Sequence, residues 1–248
     1  MSTRKTAVIT GANKGLGREI ARRLGQKEYT VWLGCRDTER GDTAAAGLRA
    51  EGIDAHALQL DVTSDASVKE AALTFGKISP RLDVLVNNAG IFTGEWGPPS
   101  QTRLDDMRAI YEVNTFGPVR VTQAFLPFLV KAGQGRIVMM SSSLGSISNQ
   151  LDTTSEDYGV NLLAYNSSKS ALNMITVLFA KELAAHGIKV NAANPGYTAT
   201  DLNQHQGRRT VAEGAEIAVR LATLGQGGPT AGFFHDGHAS GPGSQHNW

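Results

Sequence analysis

Short apolar runs alternate with amphipathic stretches along the whole chain, and this alternation leaves few folds open. Runs at residues 6–10, 30–35, 55–60, 82–86, 136–140 and 188–193 read as strands, with a short seventh at 232–234. Residues 16–24, 40–50, 65–75, 104–113, 119–130, 165–185 and 211–224 read as helices. In the first of these, Leu16, Ile20 and Leu24 share one face. Asp65 is the expected N-cap of the third. The run 82–86 (LDVLV) is almost continuously apolar, as suits a strand buried on both faces. Strand alternating with helix requires crossover connections, hence a parallel sheet covered on both sides. No repeat or linker divides the 248 residues, so one three-layer α/β domain is expected.

Charge and cysteine usage narrow the partners. The formal charge is +1, from 24 Lys and Arg against 23 Asp and Glu, without the basic excess that nucleic acid or an anionic membrane would call for. One cysteine, Cys35, makes no internal disulfide, and no Cys/His spacing reads as a metal site. A reducing, cytoplasmic setting is expected. The residues before the first strand carry no signal-peptide core. No apolar run approaches the roughly 20 residues that span a bilayer.

The first strand runs into Thr10-Gly11-Ala12-Asn13-Lys14-Gly15-Leu16-Gly17. Glycines there let the backbone turn tightly, approach a pyrophosphate and pack the next helix on the sheet, whose N-terminus then faces the anion. With a strand before and a helix after, this predicts a Rossmann-type doubly wound sheet and a dinucleotide held by Gly11, Asn13, Lys14, Gly15, Leu16 and Gly17. The alternative is an ordinary strand-to-helix turn. The tip of the second strand selects the dinucleotide, since an acid there bonds a ribose 2′-hydroxyl and an arginine accommodates a 2′-phosphate. Cys35 holds the acid's position and Arg36 follows it; with Lys14 this favours NADP(H). Against it stand a solvated Arg36 paired with Asp37 or Glu39, and an Asp37 that reaches the ribose if the strand ends one residue later.

The glycine turn, Asn87-Asn88-Ala89-Gly90, Asn114, Ser142, Tyr165-Asn166-Ser167-Ser168-Lys169 and Asn194-Pro195-Gly196 occur in the order of the short-chain dehydrogenase/reductase family, which the chain resembles over about residues 6–234. Asn13-Lys14, Cys35-Arg36-Asp37 and Arg40-Gly41 look most like its NADPH-dependent carbonyl reductases. The resemblance implies an oxidoreductase that moves a hydride between nicotinamide and a carbonyl of an aldehyde, ketone or quinone. It implies that Asp61 and Val62 bracket the adenine, that Asn88, Ala89 and Gly90 line the ribose and nicotinamide, and that Pro195, Gly196 and Thr198 close over the nicotinamide. It also implies that Lys169 bonds the ribose, with Tyr165 beside it, and that Asn114 holds a water linking Lys169 to solvent.

The chemistry also follows from the residues. Tyr165 and Lys169 are four apart and share a helix face. An ammonium beside a phenol favours the phenolate and lowers a pKa that is otherwise ~10, towards the range useful for acid/base work on an alcohol. Ser142 follows the fifth strand at the carboxyl edge of the sheet, where it offers a donor to a substrate carbonyl. Three serines run together, Ser141 to Ser143, and the family pattern selects Ser142; the alternative is that they only end the strand. Asn114 is a polar residue in an apolar stretch, costly unless its amide is paired, and read without the family it marks a helix irregularity, which Pro118 also suggests.

Substrate choice is expected in three segments: 91–100, with Phe92, Trp96 and two prolines; 144–164, longer than in common family members; and 198–210, which resembles a mobile lid. Some carbonyl-reductase relatives carry a larger insertion at the second place, over the helices used for tetramer packing, so a monomer or homodimer is expected. His205 in the lid reads as solvated rather than as a substrate contact. The domain is expected to end at residue 236, and 237–248 to form a loosely ordered tail; the rival is that Trp248 docks near the active site. Two other functions remain open: a narrow-specificity ketoreductase of a biosynthetic pathway, and a non-catalytic NADP(H)-binding regulator.

Overall fold

Successive residues of the first strand, β1 (Thr6–Thr10), face opposite ways, and this sorts the core into two layers. Ala7 and Ile9 enter a core with Ile20 and Leu24 of α1 (Gly15–Gln26), Leu48 of α2 (Thr38–Ala50) and Ile217 of α8 (Val211–Ala222). Val8 enters the opposite core with Phe75 of α3 (Asp65–Ile78), Phe125 of α5 (Gly117–Ala132) and Leu172 of α7 (Leu163–Leu183). Each such aliphatic or aromatic side chain contributes roughly 1.5–3 kcal/mol on burial. The structure is a computed structural model and describes residues 4–93, 97–235, 247–248 and the main chain of 244–245. Trp96, His238, His246 and most of the expected tail lie outside the described residues.

The sheet continues through β2 (Thr30–Cys35), β3 (Ala55–Gln59), β4 (Val84–Asn87), β5 (Arg136–Met140), β6 (Lys189–Asn194), β7 (Phe233–His235) and β8 (Ser244–Gln245). Their order is β3-β2-β1-β4-β5-β6-β7-β8, with the first seven parallel and β8 antiparallel on β7. The chain winds outward one way from β1 and the other way from β4, so the carboxyl ends of these two neighbours form the crevice where ligands bind in open α/β sheets. This is the doubly wound, three-layer architecture expected from the alternation.

Local differences have local causes. The fourth strand starts at Val84 rather than residue 82, and its pairing brings Asn87 into the sheet opposite Met139. The cap of α3 is Ser64, whose Oγ accepts the Ser67 N–H at 3.2 Å; Asp65 is the first helical residue, where its charge suits the helix dipole. The fourth helix stops earlier than expected: α4 (Leu104–Tyr111) passes through one π-turn (Glu112–Phe116) into α5, so the irregularity foreseen at Asn114 is a π-turn. At the far end of the chain, Ser244–Gln245 pair with Phe234 and His235, and the Trp248 ring stacks on Phe233. The described residues of the expected loose tail are therefore attached to the sheet edge.

Candidate active site

The glycine turn after β1 is built for close approach. Gly11 and Gly15 have φ of +63° and +54°, the left-handed region that glycine adopts without a Cβ penalty. A Cβ on Gly17 would stand 2.5 Å from the Gly11 oxygen and 2.6 Å from Asn88 Nδ2, so the helix start touches the turn. The turn is tied to the end of β4: Asn88 Nδ2 donates to the oxygens of Thr10 (2.8 Å) and Gly11 (3.2 Å), and the Asn88 and Ala89 N–H groups donate to Thr10 Oγ1 (2.9 Å each). Asn13 is half-buried on this turn, and Leu16 packs against the core beneath it. A turn with left-handed Gly11 and Gly15 and no room for a Cβ at Gly17, opening at a helix N-terminus, fits a dinucleotide pyrophosphate.

At the next strand tip, β2 ends at Cys35 and Arg36 follows it, exposed. Asp37 is the N-cap of α2, with Oδ1 accepting the Arg40 N–H at 3.0 Å. Its carboxylate thus caps the helix, and the strand ends at Cys35 rather than one residue later. Cys35 is buried, and burial pushes its thiol up to about 11, far from a reactive thiolate. Lys14 is exposed and ion-paired with Asp201 of the lid segment, whose other oxygen takes His205 Nε2 at 2.8 Å. His205 is therefore engaged within the lid. Asp61 Oδ1 accepts from the Thr63 N–H and hydroxyl, and Val62 packs against Gly117 in the opposite wall.

The lid is held at its base. Gly196 turns at φ +69°, its N–H donating to Asn194 Oδ1 at 3.0 Å, and buried Thr198 donates through Oγ1 to the Pro195 oxygen at 3.0 Å. The Ala199 and Arg209 N–H groups bond the Arg209 and Tyr197 oxygens, at 2.8 and 3.0 Å, closing the loop on itself.

The four residues expected to do the chemistry converge at the carboxyl edge. β5 delivers Ser142, whose hydroxyl lies near that of Tyr165 on the first turn of α7 and favours its ionised form. One turn on, Lys169 Nζ lies 5.6 Å from the Tyr165 ring centroid and donates to the Met140 oxygen at 2.8 Å. A Cβ on Gly90 would lie 3.5 Å from Asn114 Oδ1 and 3.7 Å from Lys169 Nζ, which places Gly90 between them. Asn114 braces the loop after β4: Oδ1 accepts the Ile91 N–H (2.8 Å), and Nδ2 donates to the Ile91 oxygen (2.9 Å) and Ser168 Oγ (3.3 Å). Beside Tyr165 a cavity of about 450 Å³ opens between the loop after β4 and the start of α7, lined by Phe92, Thr93, Arg103 and Asn161 among others. Phe92 meets the Tyr165 ring edge-on at 5.9 Å.

Burial, not the ammonium, sets the phenol. It pushes Tyr165 up to about 12, partly offset by the nearby Ser142 hydroxyl. The Lys169 ammonium, expected from sequence to lower it, donates to the Met140 oxygen and lies over the ring, and burial remains the larger influence. Burial also pulls Lys169 down to about 8, against ~10.4 for a free lysine. Between those values the unfolded chain holds a proton that the folded chain has released, so stability rises with pH through that window. From pH ~7.5 to ~9.5 the wild type should gain about 2 kcal/mol over a Lys169→Met variant in urea denaturation. Parallel pH profiles in the two proteins would contradict a buried, depressed Lys169.

Three groups in this architecture were not singled out from sequence: Thr10, which ties the turn to β4; Asn173, whose Oδ1 accepts Ser141 Oγ at 2.6 Å; and Ser170, which donates to the Gly145 oxygen at 2.8 Å. Thr10 opens the glycine motif and Asn173 is a polar residue on the buried face of α7, and these were the available signals. No group of three or more His, Cys, Asp or Glu among the described residues is placed to hold a metal. No helix among them is long and apolar enough to cross a membrane.

Comparison with known proteins places these features in context. A family model described as short chain dehydrogenase matches residues 5–210. Short-chain dehydrogenase anuI of Penicillium roqueforti is 36% identical over 230 residues, covering 90% of each chain. (+)-Neomenthol dehydrogenase of Capsicum annuum is 30% identical, covering 92% of this chain and 95% of that one. Among solved structures, NADPH-bound carbonyl reductase from chicken fatty liver superposes with a TM-score of 0.83 at 30% identity, covering 99% of this chain and all of that one.

Proposed function

The chain belongs to the short-chain dehydrogenase/reductase family, an oxidoreductase of alcohol and carbonyl groups, and from that premise we propose that it is an NADP(H)-dependent reductase of an aldehyde, ketone or quinone, with Tyr165 as the acid and base. The observation that carries this reading is the convergence of Ser142 and Tyr165, with Lys169 one turn away, beside the Gly11–Gly17 cradle at the sheet's carboxyl edge. A bound nicotinamide supplies or accepts the hydride. Ser142 and Tyr165 hold the substrate oxygen between two hydroxyls. As that oxygen gains charge, Tyr165 gives it a proton; a phenol kept neutral by burial suits this direction, since an alkoxide is the far stronger base. Ser142 stabilises the same charge by hydrogen bonding. Lys169 would hold the cofactor's ribose and, near its own pKa at working pH, would pass the replacement proton inward. Asn114 keeps Ile91 and Ser168 in register around it.

The NADP(H) preference rests on exposed Arg36 at the tip of β2, on Lys14 in the turn, and on an Asp37 engaged in capping α2. The NADPH-bound carbonyl reductase among the similar structures is in keeping with it. With the cofactor bound, Asp61 and Val62 would flank the adenine, Asn88, Ala89 and Gly90 would face the ribose side, and Pro195, Gly196 and Thr198 would cover the nicotinamide side. A relative named for one alcohol, neomenthol, favours as second reading a reductase with one narrow biosynthetic substrate.

A panel of aldehydes, ketones and quinones, followed by consumption of NADPH and of NADH, tests the reading. No turnover of any carbonyl with either cofactor would remove it. In the same assay Arg36→Ala should raise the KM for NADPH by ~10-fold or more, the scale of one lost charge-assisted hydrogen bond, and leave NADH nearly unchanged. Equal weakening of both cofactors would rule out a 2′-phosphate contact.

A further inference from the structure

The segment that follows Ser142 is held from two sides. Its inner side rests on the helix that bears Tyr165 and Lys169. A Cβ on Gly145 would stand 2.7 Å from the main-chain carbon of Lys169, so only a bare backbone fits there. The Gly145 oxygen accepts from Ser170 Oγ at 2.8 Å and from Asn173 Nδ2 at 3.2 Å.

Its outer side leads into α6 (Ile147–Leu151), a five-residue helix that buries none of its residues. Ile147 and Leu151 are 62% and 76% exposed, so no apolar face fastens this helix to the body. One turn of helix does not hold itself in water. Polar contacts must therefore hold it. Some come from within the excursion, where Asn149 and Gln150 donate to Asp157. The others come from the far end of the chain. Fully buried Ser146 caps α6 and donates through Oγ to the Asn247 oxygen at 2.8 Å. The Ser148 hydroxyl and N–H both donate to the Trp248 main-chain oxygen, at 3.0 and 3.3 Å. Asn247 and Trp248 have a firm footing of their own. The Trp248 ring stacks on fully buried Phe233, with centroids 5.6 Å apart and planes at 17°. The main chain just before them pairs with β7.

We propose that Asn247 and Trp248 are positioning residues for the active site: they strap residues 143–151 against α7 and so hold the wall on which Ser142 meets Tyr165. The consequence for catalysis rests on the proposed reductase reading; the strap itself does not. Ser146 and Ser148 make the contact through hydroxyls, and Trp248 secures it through the ring.

The test uses the full chain with Trp248→Ala and Trp248→Phe, read first by hydrogen exchange. In Trp248→Ala the amides of residues 145–151 should exchange ~10-fold faster or more, while those of β1 and of the interior of α7 keep wild-type protection. Trp248→Phe, which keeps a ring on Phe233, should restore most of that protection. In the carbonyl assay, Trp248→Ala should raise the substrate KM several-fold with the Kd for NADPH unchanged, because the cofactor cradle lies on other elements. Wild-type exchange at residues 145–151 in Trp248→Ala would overturn the strap, as would a uniform loss of protection that Trp248→Phe does not repair. Faster exchange with an unaltered substrate KM would overturn the positioning role. A wild-type protein without carbonyl turnover would fail the reductase reading alone, since the exchange result is read without substrate.

Discussion

Tyr165→Phe should lower kcat for carbonyl reduction by ~10²–10⁴-fold, the usual contribution of one positioned acid. The substitution removes only the hydroxyl. The ring remains edge-on to Phe92 and beneath Lys169, so the folded structure and the affinity for NADPH should persist. The loss should fall on kcat rather than on KM, because the proton moves only as charge develops on the substrate oxygen. Removing Ser142 should cost less, since Tyr165 continues to bond that oxygen. Steady-state kinetics at saturating NADPH, with cofactor binding measured separately, decides the matter. Activity within a few-fold of wild type would mean that another group supplies the proton.

Gly17→Ala should abolish cofactor binding at ordinary concentrations, and the reason is steric. The added Cβ would sit 2.5 Å from the Gly11 oxygen, 2.6 Å from Asn88 Nδ2 and 2.9 Å from the Ala12 Cα. Two of these neighbours are backbone, and the third is the amide that ties the turn to β4. None is the free end of a flexible side chain, so the turn itself must move. Overpacking of this kind typically costs 1–3 kcal/mol of stability, so ~1–3 kcal/mol is expected here. Loss of the N–H geometry offered to the pyrophosphate should weaken NADPH by ~100-fold or more, as when two hydrogen bonds to a charged group are lost. Gly15→Ala is the natural contrast. Its φ of +54° imposes a backbone penalty, but its nearest neighbour is Thr200 Cγ2 at 4.0 Å, so the turn keeps its shape. Titration of both variants with NADPH separates the two effects. Equal binding by Gly17→Ala and wild type would show that the turn yields without consequence.

The Lys169 titration, the cofactor selectivity of Arg36 and the Trp248 strap probe different layers of one site. They concern, in turn, a buried charge, a surface charge and a distant packing contact. Only the surface charge is legible without coordinates, because its effect depends on strand-tip position alone. Burial of Lys169 depends on what α7 packs against, and the strap depends on residues about 100 positions apart.

The amino-acid order alone determined the layered parallel sheet, because residue pattern is a local property: the 3.6 spacing of Leu16, Ile20 and Leu24 and the β-branched run Thr6–Thr10 declare helix and strand without reference to anything distant. It determined the cradle for the same reason, since glycines at fixed offsets permit one tight turn. It also set Tyr165 and Lys169 on one helical face. Only the tertiary structure decided which way the Lys169 ammonium points, and that burial is the larger influence on the phenol. Only it showed Asp37 engaged as a helix cap, Asn114 braced in a π-turn, and Trp248 fastened to Phe233. Hydrogen-bond partners and desolvation arise from what long-range packing brings alongside a group, and that information is not carried by the residues next to it in the chain.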